Sequence, residues 1–344
     1  MIKISNKLSF SENGPPLLIA EISSNHCGSK SLFLKHIIEA AKNGADLVKI
    51  QTYEPEDMIV NKEFKIKSGL WKNKKLYNLY KKAYTPFSWH HEAFKLAKKN
   101  KILLFSAPFS ERAFNFLKKF NPPIYKIASF EITDLNLIDM IAKTKKPIIL
   151  STGLASNKEI LNAVKLIKKY HRKIILLHCV SGYPTPIEEA NLQNINELKK
   201  ITGIKHVGFS DHTKGIYAST IASTYNICAI EKHFIINKKL KSPDRTFSIT
   251  PKELNNLKKN IKMNYLMKLK VSKKSENPSK VFRRSIFSIQ NIKKNELFTK
   301  NNIRCFRPMI GIGSENYFKV IGKKSKKNIK KNTSIRMSNI NYSS

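Results

Sequence analysis

Eight times along the chain a short run rich in Ile, Val and Leu is followed by a longer amphipathic segment. That alternation limits the fold more than any single residue does. The runs fall at 17–22, 46–51, 102–106, 124–128, 147–151, 173–178, 205–209 and 228–232. Short continuous apolar runs of this kind are the mark of parallel strands buried on both faces by crossover helices. Helices are expected near 30–43, 86–99, 111–120, 134–143, 157–170, 191–201, 215–225 and 251–269. Several starts carry capping chemistry: Thr85-Pro86 and Thr250-Pro251 place a hydroxyl before a proline, and Ser156/Glu159 and Thr250/Glu253 fit a capping box. No Gly-rich dinucleotide turn follows the first run, so an α/β chain of this pattern predicts a (β/α)8 TIM barrel rather than an open doubly wound sheet.

Two segments interrupt the alternation. Residues 52–84 are too long for an ordinary βα loop and hold Tyr53, Trp71, Tyr77, Tyr80 and Tyr84, which suits a lid or a substrate wall. The polar run VSKKSENPSK separates the last helix from the C-terminal residues. The expected organisation is a barrel over 1–270, a linker over 271–281 and a small β-rich module over 282–344 that needs a larger body to pack on.

Charge and cysteine content exclude other classes. With 64 Lys and Arg against 24 Asp and Glu the formal charge is +40, yet 41% of the residues are hydrophobic, so the chain is no disordered polycation. The lysines are spread along polar helix faces and not gathered in one stretch. A solvated basic surface is therefore expected, with nucleic acid not the expected partner, although a basic rim would also attract anionic substrates. No run approaches the roughly 20 apolar residues of a membrane span, and the N-terminus lacks the pattern of a signal sequence, so no membrane partner and a cytoplasmic location are expected. Cys27, Cys179, Cys228 and Cys305 lack CxxC spacing and are expected to be reduced and mostly buried.

In (β/α)8 enzymes the reacting groups stand at the C-terminal ends of the strands. The ends here carry Glu21 and Asn25; Lys49 and Gln51; Ser106; Lys126, Ser129 and Glu131; Ser151 and Thr152; His178 and Ser181; Ser210, Asp211 and His212; Glu231 and His233. A lysine at a buried strand end needs an anionic partner, so Lys49 and Lys126 with Ser129, Ser151 and Ser210 would cage a phosphate or carboxylate. His212 and His233 follow neighbouring strands and could share a divalent cation. Glu21 and Glu131 are placed to steer protons or bind sugar hydroxyls. His90, His91, His171 and His206 read as structural, and His178 stays open between the two roles.

With these residues in place, the segments AEISSNH, GADLVKIQTY, FSAPF, YKIASFEITD, LSTG, HCVSGYPTP, GFSDHT, EKHF and SPD resemble, in order, the sialic acid synthase family. FRRSI, NIKKNELFT, RCFRP and IGKKSKKNIKKNTSI are similar to the antifreeze-like (SAF) domain that comes after the barrel in that family. FKIKSGLW, LYNLYKKAYTP and ASFEITD are most similar to the members that use 2,4-diacetamido-2,4,6-trideoxy-L-altrose; N-acetylmannosamine or the legionaminic precursor is the alternative.

The resemblance implies condensation of phosphoenolpyruvate with an amino-sugar aldehyde. It implies that His212 and His233 hold manganese or magnesium, and that Lys49, Lys126, Ser129, Ser151 and Ser210 bind phosphoenolpyruvate with Ser181 and Tyr183 nearby. Gln51, Tyr53, Glu131 and Asp244 would contact the sugar. Glu21 would position or deprotonate water. Arg307 would reach the barrel mouth of a second subunit in a domain-exchanged homodimer. Three positions depart from the pattern. Ala107 stands where some relatives carry a hydroxyl, so one phosphate hydrogen bond would be missing or replaced by Ser106; Ser242 precedes Pro243-Asp244 where glycine is usual, with Arg245 beside it, which would alter sugar fit. Cys27 receives no catalytic role. A reading of another class is a basic anion- or nucleic-acid-binding protein that kept a barrel without catalysis.

Overall fold

The structure is a computed structural model that describes residues 1–341; the last three residues of the expected 282–344 module lie outside them. Eight parallel strands close into a barrel: β1 (Leu17–Glu21), β2 (Leu47–Thr52), β3 (Leu103–Pro108), β4 (Tyr125–Ile127), β5 (Ile148–Ser151), β6 (Ile174–His178), β7 (Val207–Asp211) and β8 (Ala229–His233). Neighbours in sequence are neighbours in space, and β8 closes on β1 with His233 opposite Glu21. The expected strand order is therefore found. The seventh strand begins and ends two residues later than its apolar run suggests, because Ser210 and Asp211 continue the ladder against β8.

The period of two along each strand sorts the side chains. One phase packs against the helices in a large outer core that includes Leu18, Ala20, Val48, Ile50, Ile127, Leu150 and Ile230. The other phase points into the barrel, where Ile19, Leu47, Phe105, Ile149, Ile175 and Leu177 form a second, inner core. A short antiparallel pair, Ile2–Lys3 with Ser9–Phe10, adds Ile2 and Phe10 to that inner core and so floors the barrel. Gly208 on β7 is required by this packing: a Cβ there would stand 2.5 Å from the Ala229 carbonyl oxygen and 2.6 Å from a Leu177 methyl.

The helix starts at Ser156 and Thr250 carry both halves of a capping box, each worth about 1 kcal/mol of helix stability. Thr85 does not cap. The helix Phe87–Lys99 starts after Pro86 without a side-chain cap, and the Thr85 hydroxyl is buried with no hydrogen-bond partner. All four cysteines are free thiols; Cys179 and Cys228 are buried, whereas Cys27 is exposed and Cys305 half-buried. Among the described residues no helix is long and apolar enough to cross a membrane.

The chain divides into two compact units, Met1–Leu269 and Lys270 onward. The second unit has its own core of Ile286, Phe298, Ile303, Ile312, Ile335 and Ile340, and two antiparallel pairs, Ser285–Ser288 with Ile303–Phe306 and Lys324–Ser325 with Ile340–Asn341. The pentapeptide NIKKN occurs twice in it, at 291–295 and 328–332. The two copies pair with each other through Ile292 and Ile329, and each ends on an asparagine with positive φ, a conformation Asn tolerates better than most residues.

Candidate active site

The inward phase that carries the inner core turns polar at the C-terminal ends of the strands. Above Ile19, Leu47 and Ala229 the same rows continue as Glu21, Lys49 and Glu231, then Gln51 and His233. Lys126 on β4, Ser151 on β5 and Ser210 on β7 share that phase. All of these polar residues except Glu21 line a cavity of 420 Å³ at the barrel mouth. Gln51, Tyr53, Ser129, Glu131, Tyr183, His212 and Asp244 line the same cavity.

The anionic partners that the two buried lysines require are glutamates. Lys49 Nζ lies 3.0 Å from Glu21 Oε2 and 2.9 Å from Glu231 Oε1, and Lys126 Nζ lies 3.4 Å from that same Glu231 oxygen. Ser210 Oγ donates to it as well, at 3.1 Å. Burial alone would raise the Glu231 carboxyl, but the Lys126 and Lys49 ammonium groups outweigh it and hold the group well below the usual carboxylate range. Glu21 goes the other way: burial raises it to about 7, against the pull of Lys49 and with the help of Glu231. Lys126 is lowered to about 8 by burial, which the Glu231 charge only partly offsets while Lys49 adds to it. Charge on this floor is thus nearly balanced, with two groups titrating close to neutrality.

The imidazoles of His212 and His233 stand with ring centroids 5.5 Å apart. His212 Nδ1 is 2.9 Å from the Val180 carbonyl oxygen, which can only accept, so the proton sits on Nδ1 and the Nε2 lone pair is left for another partner. Burial lowers His212 to about 4 and takes His233 well below its ordinary value, the neighbouring His212 adding to the effect on His233. Both rings are neutral at physiological pH, the state in which imidazole ligates a metal. Among the described residues no group of three or more His, Cys, Asp or Glu is arranged around a metal-sized point. The nitrogen donors that this mouth offers a divalent cation are the two neutral imidazoles.

Several buried polar atoms in this cavity have no hydrogen-bond partner in the protein: Ser151 Oγ, Glu131 Oε2, Glu231 Oε2, His233 Nδ1 and Trp71 Nε1. Buried polar groups are rarely left unpaired, and so many around one cavity mark a place built to receive a polar ligand. Close packing supports them from behind. A Cβ on Gly153 would collide with Ser181 Oγ and stand 2.8 Å from Cys179 Sγ, and Ser181 Oγ is 2.9 Å from Ser129 Oγ.

Not every expected residue reaches the cavity. Ser106 is paired in register with Ile50, so it shares the outward phase of the strand; its hydroxyl donates to the Ile50 carbonyl at 3.0 Å and meets Thr52 Oγ1 at 2.6 Å. Ala107 takes the inward position opposite Gln51, so Ser106 does not replace a hydroxyl there. Glu21 is fully buried behind Lys49, and Ser181 touches the site through Ser129. His178 is structural, its Nε2 bonded to the Ala190 carbonyl at 2.9 Å. Arg307 belongs to the second unit, directly after the strand Ile303–Phe306.

Glu231 and the Ser23–Ser24 turn, which also lines the cavity and hydrogen-bonds Asp244 through Ser24 N at 3.4 Å, received no role from sequence. For Glu231 the signal was present, since it lies two residues before His233 and so on the same face of the strand. The insert between β2 and β3 supplies a wall: Met58, Phe64, Ile66, Trp71, Leu76 and Leu79 line the side of the cavity away from the strands.

Burial also raises Glu131 to about 7, with Lys126 opposing. A carboxyl whose folded value exceeds its unfolded value binds its proton more tightly in the native state, so it makes stability fall as pH rises from about 4.5 to about 7. Glu131→Gln is expected to narrow the difference in melting temperature between pH 5 and pH 8. An unchanged difference would show that Glu131 titrates normally.

Residues 36–273 match the NeuB family and residues 283–341 the SAF domain. A pseudaminic acid synthase of Helicobacter pylori is 41% identical over 337 residues, which cover 96% of this chain and 99% of the relative. An N,N'-diacetyllegionaminic acid synthase of Campylobacter jejuni is 36% identical, covering 93% of this chain and 98% of the relative. Among solved structures, the N-acetylneuraminic acid (sialic acid) synthetase of Leptospira borgpetersenii superposes with a TM-score of 0.72 at 33% identity, over 80% of this chain and 93% of that one. Closed barrel, polar mouth and these matches together make the chain a member of the NeuB family, the sialic acid synthases, with a SAF domain after its barrel.

Proposed function

We propose that this protein condenses phosphoenolpyruvate with 2,4-diacetamido-2,4,6-trideoxy-L-altrose, as a pseudaminic acid synthase does. The observation that carries this reading is the 41% identity to such a synthase over nearly the full length of both chains. In the reaction carbon 3 of phosphoenolpyruvate bonds to the sugar's aldehyde carbon, and the aldehyde oxygen takes up a proton. Water adds at carbon 2, and phosphate leaves with cleavage of its bond to that carbon, giving a nine-carbon 2-keto sugar acid.

Lys49 and Lys126 supply the ammonium groups for the phosphate and carboxylate, and the free Ser151 hydroxyl and Ser210 add hydrogen bonds. Ser129 extends that cage toward Ser181, and Tyr183 packs its ring on His212 at 4.4 Å. Gln51, Tyr53, Glu131 and Asp244 face the sugar. Glu21, poised near neutral pH behind Lys49 and outside the cavity lining, orients the Lys49 ammonium, and its part in the addition of water at carbon 2 runs through that lysine. His212 and His233 would hold manganese or magnesium, whose contribution when bound is to polarise the aldehyde oxygen.

Arg307 of the partner subunit would complete the mouth in a domain-exchanged homodimer. Arg307→Ala is expected to lower turnover about tenfold with the barrel's melting temperature unchanged, whereas unaltered kinetics would remove Arg307 from the site. A reaction fed by phosphoenolpyruvate belongs in the cytoplasm.

Phosphate release from phosphoenolpyruvate with this sugar, the legionaminic precursor and N-acetylmannosamine, each with and without a chelator, tests the reading. Fastest release with the altrose sugar, lost on chelation, is expected. Preference for another sugar would shift the assignment to a legionaminate or neuraminate synthase. No release with any sugar, together with salt-sensitive binding of nucleic acid, would favour the non-catalytic basic protein.

A further inference from the structure

The cavity has two unlike sides. Its strand side carries Lys49, Lys126, Glu231, Ser151, Ser210 and the two imidazoles. Its other side is the insert between β2 and β3, and there the lining side chains are almost all apolar. The insert is held in shape by its own backbone: Ile66 N donates to the Lys74 carbonyl at 3.0 Å, Asn73 N to Ile66 at 2.8 Å and Leu76 N to Phe64 at 3.0 Å. Trp71 lies in the turn these bonds close, and its ring meets Tyr183 at 5.9 Å. Its Nε1 is buried with no hydrogen-bond partner in the protein. An indole N–H only donates, so a buried, unpaired one on a ring that lines the cavity asks for an acceptor.

The candidate sugars differ where such a wall would touch them. The two trideoxy sugars carry a methyl group at carbon 6 and an acetamido group at carbon 4; N-acetylmannosamine carries hydroxyl-bearing groups at both. A methyl group needs only apolar contact, and an acetamido carbonyl needs a donor. Apolar contact alone rejects a hydroxylated analogue weakly, whereas a buried donor left unpaired discriminates more strongly.

We propose that the insert is the specificity surface for the sugar, in which Trp71 Nε1 donates to the carbon-4 acetamido carbonyl while Phe64 and Ile66 receive the carbon-6 methyl. The proposal rests on the synthase reading above and adds the groups that separate the two trideoxy sugars from N-acetylmannosamine.

Trp71→Phe keeps an aromatic ring and removes the N–H. With the preferred trideoxy sugar its KM is expected to rise about tenfold, with KM for phosphoenolpyruvate and kcat each within about twofold. The analogue with a hydroxyl in place of the carbon-4 acetamido group, measured as substrate or as competitive inhibitor, should bind both proteins alike. Phe64→Ser, on the same wall, should raise the sugar's KM without touching that of phosphoenolpyruvate. An unchanged sugar KM in Trp71→Phe, a parallel rise for phosphoenolpyruvate, or an equal loss for the hydroxyl analogue would overturn the proposal while leaving the synthase reading intact. Absence of turnover by the unaltered protein with every sugar would instead end the synthase reading, and this proposal with it.

Discussion

Glu231→Ala is expected to destabilise the barrel by about 3 kcal/mol, because it leaves the buried Lys126 ammonium without its carboxylate and Lys49 with one carboxylate in place of two. Lys49 keeps Glu21 at 3.0 Å, but Lys126 loses the carboxylate that lies 3.4 Å from it, its sole ion-pair partner among the described residues. For a barrel of this size the melting temperature should fall by about 10 °C. The sign of the pH dependence comes from the direction of the shift. Glu231 is held below its unfolded value, so its contribution is complete above about pH 4.5 and is lost as pH falls further; the gap between the two proteins should close in acid. Inorganic phosphate should raise the melting temperature of the variant more than that of the parent, since an anion can take the carboxylate's place beside the lysines. Equal melting temperatures at pH 7 would show that the lysines have partners elsewhere.

His212→Ala and His233→Ala are expected to lower phosphate release by more than about a hundredfold while the far-ultraviolet circular dichroism stays unchanged. Both rings sit at the cavity and contribute little to either core, so their loss should spare the fold. Manganese binding followed by electron paramagnetic resonance should weaken in each variant. Full activity in both, with manganese bound as before, would reject the imidazole pair as the cation's ligands.

The barrel was legible because strands buried on both faces must be written in Ile, Val and Leu, and a chain can satisfy that eight times over in few ways. Most of the site came from the same rule, as strand ends in such a barrel share one mouth. Ser106 shows where that reasoning stops. Being at a strand end does not say which face a residue occupies, and its register with Ile50 turns it outward while Lys49 and Gln51 turn inward. Asp211 and Lys232 make the same point: each directly precedes a cavity histidine in sequence, yet the two form a buried ion pair at 3.0 Å on the outer face. Thr85 looked like a helix cap because it precedes proline, yet the helix begins after Pro86. The apolar role of the insert was hidden because residues 52–84 keep no period, and only the backbone bonds closing its turn bring Trp71 to the cavity.

The apolar plug beneath the polar mouth, where Ile2 and Phe10 join Phe105, closes the floor of the chamber, so ligands enter from the mouth side. Traffic through a dead end must queue. Whatever rests deepest, against the lysines and serines, arrives first and departs last, so phosphoenolpyruvate should bind ahead of the sugar and phosphate should leave behind the sugar acid. Steady-state product inhibition reads that order directly: phosphate should compete with phosphoenolpyruvate and act noncompetitively toward the sugar.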